Sequence, residues 1–288
     1  MKRIIAVLLT GLLLLSAVGC IRISCSAPVM YSNADRYTAG DFTYDESKVK
    51  KVEIEWASGS VTLKNGKGTL SVSESGAESL PEAEKLHWWI DGTTLKIKFC
   101  KSGTELTLTD LNKKDLTVEL PAFVNLEIDV ASGKIISEEM LDLGILKVKT
   151  ASGGASIGYL SAKEIRIETA SGAWKLGRVS VSGDFKVDTA SGGLTVDEIT
   201  AETVKVDNAS GSISFGKIAA EEVHIDSASG SIKLGLADQE AGAEIEYESV
   251  SGSFKCNLPY EKSGKTYQIG RGLMKVQIEV VSGSVTVE

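Results

Sequence analysis

The chain has 288 residues, 42% of them hydrophobic and 24% charged, with a formal net charge of −8. That is ample for a large core and too apolar for a disordered chain. The acidic balance gives no electrostatic support for nucleic-acid binding, and 29 glycines against four prolines suit many short strands.

The N-terminus carries Lys2 and Arg3, an apolar run from Ile4 to Val18, then Gly19 and Cys20. This reads as an export signal over residues 1–19. Ser16-Ala17-Val18-Gly19-Cys20 resembles a bacterial lipobox, with Ala17 where Leu is usual. The resemblance implies that Cys20 is the lipid attachment site. Two other readings stand beside it: a retained single membrane helix, for which the run is short against the roughly 20 apolar residues that span a bilayer, or cleavage without acylation. Each leaves residues 28–288 outside the cytoplasm, on the outer face of the cell membrane where an anchor is kept. Residues 20–40, polar and without period, read as a tether.

Residues 41–125 read as an irregular β cap. Strands begin near Val52, Glu74 to Lys85 is a polar loop or short helix, and Leu86 to Lys101 forms a hairpin around Asp91-Gly92. The adjacent Trp88 and Trp89 are a candidate sugar platform, although such a pair more often puts one ring in the core and one over an edge.

Residues 126–288 are a repeat. Ser-Gly pairs stand at Ser132-Gly133, Ser152-Gly153, Ser171-Gly172, Ser191-Gly192, Ser210-Gly211 and Ser229-Gly230, 19 or 20 residues apart, then at Ser251-Gly252 and Ser282-Gly283, with an early copy at Ser58-Gly59. Six and four residues before each serine the side chain is apolar, as in Val204 and Val206 or Val223 and Ile225, and three after it comes Ile213 or Ile232. Alternation with period two means strands on either side of each Ser-Gly, with Gly expected to supply a positive φ at a sharp corner. A meander of so many strands would leave an apolar face uncovered. A β-solenoid of 19–20-residue coils covers it, each coil burying its neighbours.

Outward positions form a basic column, Lys147, Arg166, Lys186, Lys205 and His224, beside an acidic one, Glu168, Asp188, Asp207, Asp226 and Glu248. A solvated charged face is expected. A calcium ladder would need oxygen ligands converging from turns, whereas these acids lie within strands. No metal, cofactor or catalytic residue is assigned: the recurring serines are equivalent by repeat, His87 and His224 lie far apart in sequence, and HExxH, CxxC and phosphate-loop patterns do not occur. Cys256 reads as a buried thiol on the apolar column, and a Cys100–Cys256 disulfide is left open.

Taken together, Tyr37-Thr38-Ala39-Gly40-Asp41-Phe42, Val52 to Val61, Leu86-His87-Trp88-Trp89, Leu95 to Cys100, Leu116 to Pro121 and the Ser-Gly coils resemble the DUF4097 family of bacterial β-strand-repeat proteins, from about residue 37 to 288. The resemblance implies an exported or membrane-attached protein of the adhesin type, and it carries over no catalytic residue. The expected function is a non-enzymatic envelope or cell-surface interaction module whose partner is a cell-wall polymer, a host surface or a membrane protein. An accessory to envelope stress signalling acting through the Trp88–Trp89 cap, and a polysaccharide-active β-helix enzyme, are the alternatives.

Overall fold

The computed structural model describes residues 28–45, 48–76, 80–106 and 114–288, so the export signal and Cys20 lie outside the described residues. It is all-β with a parallel, solenoid-like arrangement, divided into two compact units at residues 162 and 163. Among the described residues no helix is long and apolar enough to cross a membrane.

The first unit holds strands β1 Thr38–Ala39, β2 Phe42–Asp45, β3 Lys51–Asn65, β4 Thr69–Ser75, β5 His87–Asp91, β6 Thr94–Lys98, β7 Asp115–Leu120, β8 Val124–Ser152 and β9 Gly154–Ala162. The second holds β10 Glu164–Ser171, β11 Ala173–Val181, β12 Asp184–Thr189, β13 Gly193–Thr200, β14 Thr203–Ser210, β15 Ile213–Ala219, β16 Glu222–Leu236, β17 Ala243–Ser249, β18 Ser253–Cys256, β19 Glu261–Ser263, β20 Thr266–Ile269 and β21 Met274–Val287.

Within the second unit the inward columns stack in register. Ile165 lies beside Phe185, Phe185 beside Val204, and Val204 beside Val223. On the second strand of each coil Trp174, Leu194, Ile213 and Ile232 follow one another in the same way. All eight are buried, and removing such side chains from water stabilises by about 1.5–3 kcal/mol each.

The order of stacking then departs from the order of the sequence. β16 pairs with β21, and β21 in turn pairs with β17 and β18, so Val223 is followed by Val276 and only then by Ile245. The coil around Ser282 sits between those around Ser229 and Ser251. Residues 257–273 make this return, laying β20 antiparallel on β17 and β19 on β20.

The first unit does the same. β3 pairs on one side with β6 and β7 and on the other with β8, so Val52 sits between Leu95 and Leu126, and Val61 between Leu116 and Ile135. Among the described residues the outermost coil is built from β6 and β7. Its two strands are each flanked by an antiparallel strand, β5 on β6 and β4 on β7. The expected hairpin at Asp91-Gly92 is β5–β6, and Glu82–Glu84 is a single 3₁₀ turn.

The Ser-Gly pairs are not all alike. β3, β8, β16 and β21 run straight through one, and Gly59, Gly172, Gly211, Gly230 and Gly283 have the expected positive φ, whereas Gly133, Gly153, Gly192 and Gly252 do not. What these glycines share is crowding along the stack. A Cβ on Gly133 would run into the carbonyl oxygen of Gly59, and one on Gly211 or Gly230 into that of Gly192 or Gly211. Only a residue without a side chain lets successive coils approach there.

A further column, two residues before each serine, is polar in the middle coils. Thr169, Thr189, Asn208 and Ser227 are buried in the second unit, and Thr150 occupies the equivalent place in the first. They tie down the Ser-Gly backbone: Thr169 Oγ1 donates to Ser171 O (3.1 Å), Gly192 N donates to Thr189 Oγ1 (3.0 Å), and Asn208 Nδ2 donates to Gly211 O (3.2 Å) and to Ser227 Oγ (3.0 Å). Trp56 and Val130 hold that position in the first unit's outer coils and Val280 in β21.

Candidate functional site

In the second unit the backbone register sets Arg166, Lys186, Lys205 and His224 side by side, and Glu168, Asp188, Asp207 and Asp226 two positions along. Both columns share one face because residues two apart in a strand point the same way. Each cation reaches the acid on its own strand: Arg166 Nε lies 2.7 Å from Glu168, and Lys186 and Lys205 each 3.5 Å from Asp188 and Asp207.

The two columns differ in depth. The Arg166, Lys186 and Lys205 side chains are 43%, 32% and 45% exposed, whereas their carboxylate partners are 13%, 15% and 18% exposed. Cationic tips therefore stand above a sunken row of acids. Burial first, and then the neighbouring Asp207 carboxyl, push Asp188 above the usual carboxylate range, with Lys186 opposing. His224, at the end of the row, reaches Glu222 at 3.5 Å.

The recurring serines are structural partners of the stack. Ser191 Oγ donates to Ala170 O (3.3 Å) and Ser210 Oγ to Ala190 O (3.5 Å), one coil back, and Ser251 Oγ donates to Val281 O (3.2 Å).

In the first unit Trp88 and Trp89 do not make one platform. Neighbours in a strand face opposite sides of the sheet, and here Trp88 stacks on Phe42 at 4.0 Å between centroids while Trp89 meets Tyr37 edge-on at 5.7 Å. Lys96 Nζ covers the Trp89 ring at 5.0 Å. Tyr31 packs on Tyr37 at 4.8 Å, and its hydroxyl donates to Cys100 O (3.0 Å). Burial raises the Tyr31 phenol to about 12.

Sequence reasoning missed Lys114. Its ammonium is buried beside Glu74 (3.0 Å), donates to Glu84 O (2.5 Å) and to Phe99 O, and lies over the rings of Phe99 (4.2 Å) and Trp56 (5.1 Å). Desolvation lowers its pKa against the pull of Glu74. With three acceptors and two aromatic faces around it, this cation is a latch for the outer coil. Lys113-Lys114-Asp115 carries no pattern that distinguishes the buried lysine from its neighbours.

His87 is buried, its Nδ1 2.9 Å from Lys85 O, and burial lowers its pKa. Cys100 and Cys256 are both free thiols, the first buried and the second half-buried, so neither the disulfide nor a fully buried Cys256 is present. Among the described residues no three His, Cys, Asp or Glu side chains converge in metal-binding geometry.

Three solved structures match the chain at low identity and low TM-score. A "putative cell adhesion protein" from Clostridium sporogenes is 11% identical over 87% of this chain and 99% of its own, at a TM-score of 0.27. A "putative adhesin" from Bacteroides fragilis is 13% identical over 87% and 97%, at 0.40, and another from Parabacteroides distasonis is 11% identical over 88% and 97%, at 0.30. No curated protein matches. The family model described as Toastrack DUF4097 matches residues 49–288, spanning both units and every Ser-Gly coil, and the chain belongs to that family.

Proposed function

We propose that the chain is a non-enzymatic interaction module of the cell envelope, a β-solenoid of 19–20-residue coils with an irregular N-terminal cap, held outside the cytoplasm through Cys20. Its ligand on this reading is an anionic envelope or host-surface polymer, bound along the face of Arg166, Lys186 and Lys205. The observation that carries the reading is the difference in depth between the two charged columns. Raised cations repeating at the strand spacing, about 4.8 Å, meet a polymer whose own charges repeat, and each added contact is intramolecular once the first is made.

The test is binding of the purified chain to anionic and neutral cell-wall polymers, host matrix proteins and glycans, with and without calcium. Saturable, salt-sensitive binding to an anionic polymer, weakened about tenfold or more by the combined Arg166→Ala, Lys186→Ala and Lys205→Ala changes without loss of melting temperature, supports it. Equal binding of neutral polymers, or indifference to the three changes, overturns it. Silence across the panel together with a membrane-protein partner lost on Trp89→Ala would favour the accessory reading instead, since Trp89 and Tyr37 are half-exposed.

A further inference from the structure

The inner coils of the second unit close the corner between one coil and the next with a buried residue, Val181 and then Ala201. Backbone hydrogen bonds pass from corner to corner: Glu202 N donates to Gly183 O (3.1 Å), Glu221 N to Glu202 O (3.0 Å) and Lys275 N to Glu221 O (2.9 Å). At the third corner the seal opens, and Ala220 is half-exposed. The cause is the strand insertion. The next strand in the stack is β21, and the chain leaving β16 turns away through residues 237–242 before it returns.

What is left is a cavity of about 500 Å³, within the range of ligand pockets. Its floor is apolar, formed by Ile218, Leu236 and Met274 with Ala220 and Ala241. At the mouth Leu273 is 58% exposed, a large aliphatic side chain left in water beside an apolar hollow.

The rim is acidic. Glu221, Glu222 and Asp238 are all exposed on its wall. Asp238 Oδ1 accepts from Glu240 N (2.9 Å) and Ala241 N (3.0 Å), which holds the carboxylate in place. Lys275, the cation on the wall among the described residues, is neutralised by Glu244 at 2.7 Å. Arg271 acts on Asp238, and His224 Nε2 lies 3.5 Å from the Glu222 carboxylate.

We propose that this cavity is the docking site for a partner peptide that places an aliphatic side chain next to a lysine or arginine. The aliphatic group fills the hollow against Leu236 and Met274 and shields Leu273, while the cation meets Glu221 and Glu222. An open mouth with an exposed leucine suits a segment that continues across the surface, rather than a small molecule enclosed on all sides. The site does not use Arg166, Lys186 or Lys205, so its failure and that of the polymer reading are separable.

The experiment is a fluorescence anisotropy titration of the full chain, in detergent, with three labelled short peptides: alternating Leu and Lys, alternating Ala and Lys, and alternating Leu and Glu. The Leu-Lys peptide binds saturably and at least about tenfold more tightly than either other peptide. Leu273→Ser and the paired Glu221→Gln, Glu222→Gln change each weaken it about tenfold, with melting unchanged because all three residues are exposed. Ala220→Phe, which fills the hollow from its wall, abolishes it, and Lys186→Ala leaves it unaltered. Equal binding of the Ala-Lys peptide, binding that survives Leu273→Ser and Ala220→Phe, or no saturable binding overturns the proposal.

Discussion

The outermost coil of the first unit and that of the second solve one problem with different means. Each is reached by tucking a strand inward, β3 behind β6 and β7, β21 behind β17 and β18. In the first unit both outer strands gain an antiparallel neighbour, and a buried cation is clasped under Trp56 and Phe99. In the second β20 covers β17, whereas among the described residues no strand pairs with the outer edge of β18. There the core is closed by rings, Tyr247 on Phe254 (5.0 Å), Phe254 on Tyr267 (4.3 Å) and Tyr260 on Tyr267 (5.4 Å). A short edge strand with Lys255 on it resists pairing with other chains, so four residues of open edge are tolerated where a long one would not be. A coil stack can therefore end on hydrogen bonds or on aromatic cover.

The largest effect that would test this is at neither end. Val206→Asp buries an unpaired charge between inner coils and is expected to cost about 4 kcal/mol or more, unfolding the second unit in a thermal melt, while the exposed Lys205→Ala costs under about 0.5 kcal/mol. Equal melts for the two would mean the inward and outward columns are wrongly assigned.

Next is the first unit's latch. Lys114→Met strands Glu74, whose side chain is 3% exposed, and should cost about 3–5 kcal/mol in denaturant unfolding; adding Glu74→Gln recovers part of that loss. At the aromatic end Phe254→Ala removes a half-buried ring and should cost about 2 kcal/mol, with faster amide exchange confined to β17 and β18. If Phe254→Ala proved the costlier of the two, the distinction between latch and cover would fail.

Crowding at the stacked glycines predicts a smaller contrast. Gly230→Ala pushes a methyl into the Gly211 carbonyl and should cost about 3 kcal/mol, whereas Gly158→Ala, whose Cβ would lie 3.8 Å from Glu138 O, should be nearly neutral by melting. The smallest effect is that of pH. A folded-state pKa raised at Asp188 means the folded chain takes up this proton before the unfolded chain does, so stability rises as pH falls from neutral through the raised value. Asp188→Asn should flatten that rise. The same protonation unmasks Lys186, so polymer binding should strengthen as pH falls through the raised value.

Much of this was legible in the sequence. Columns such as Val204 and Val206 announce themselves because period-two alternation repeats every 19 or 20 residues, and the outward ladders follow from the same count. The depth of those ladders was not legible, since Lys205 and Asp207 are both simply polar letters. Nor was the place of Ser282: its Val-Ser-Gly is the same triplet as that at Ser251, and identical coils stack equally well in either order until residues 257–273 decide between them. The column of Thr169, Thr189, Asn208 and Ser227 did carry a signal, a run of small polar residues where Trp56, Val130 and Val280 are apolar, but polar groups on an inward position are recognised only once the Ser-Gly backbone they serve is in view. For Trp88 and Trp89 the sequence offered a shared platform or two separate rings, and strand geometry gives them different partners, Phe42 and Tyr37.

The inserted strand also sets a timetable. Coils from Glu164 to Leu236 stack in the order in which they leave the ribosome, each finding its neighbour already laid. The coil of Ala243 to Cys256 has no such luck: the strand it must lie against, Met274 to Val287, emerges after it. That end of the molecule is therefore assembled backwards, its penultimate layer arriving last, and until it does two strand edges wait open for the same guest.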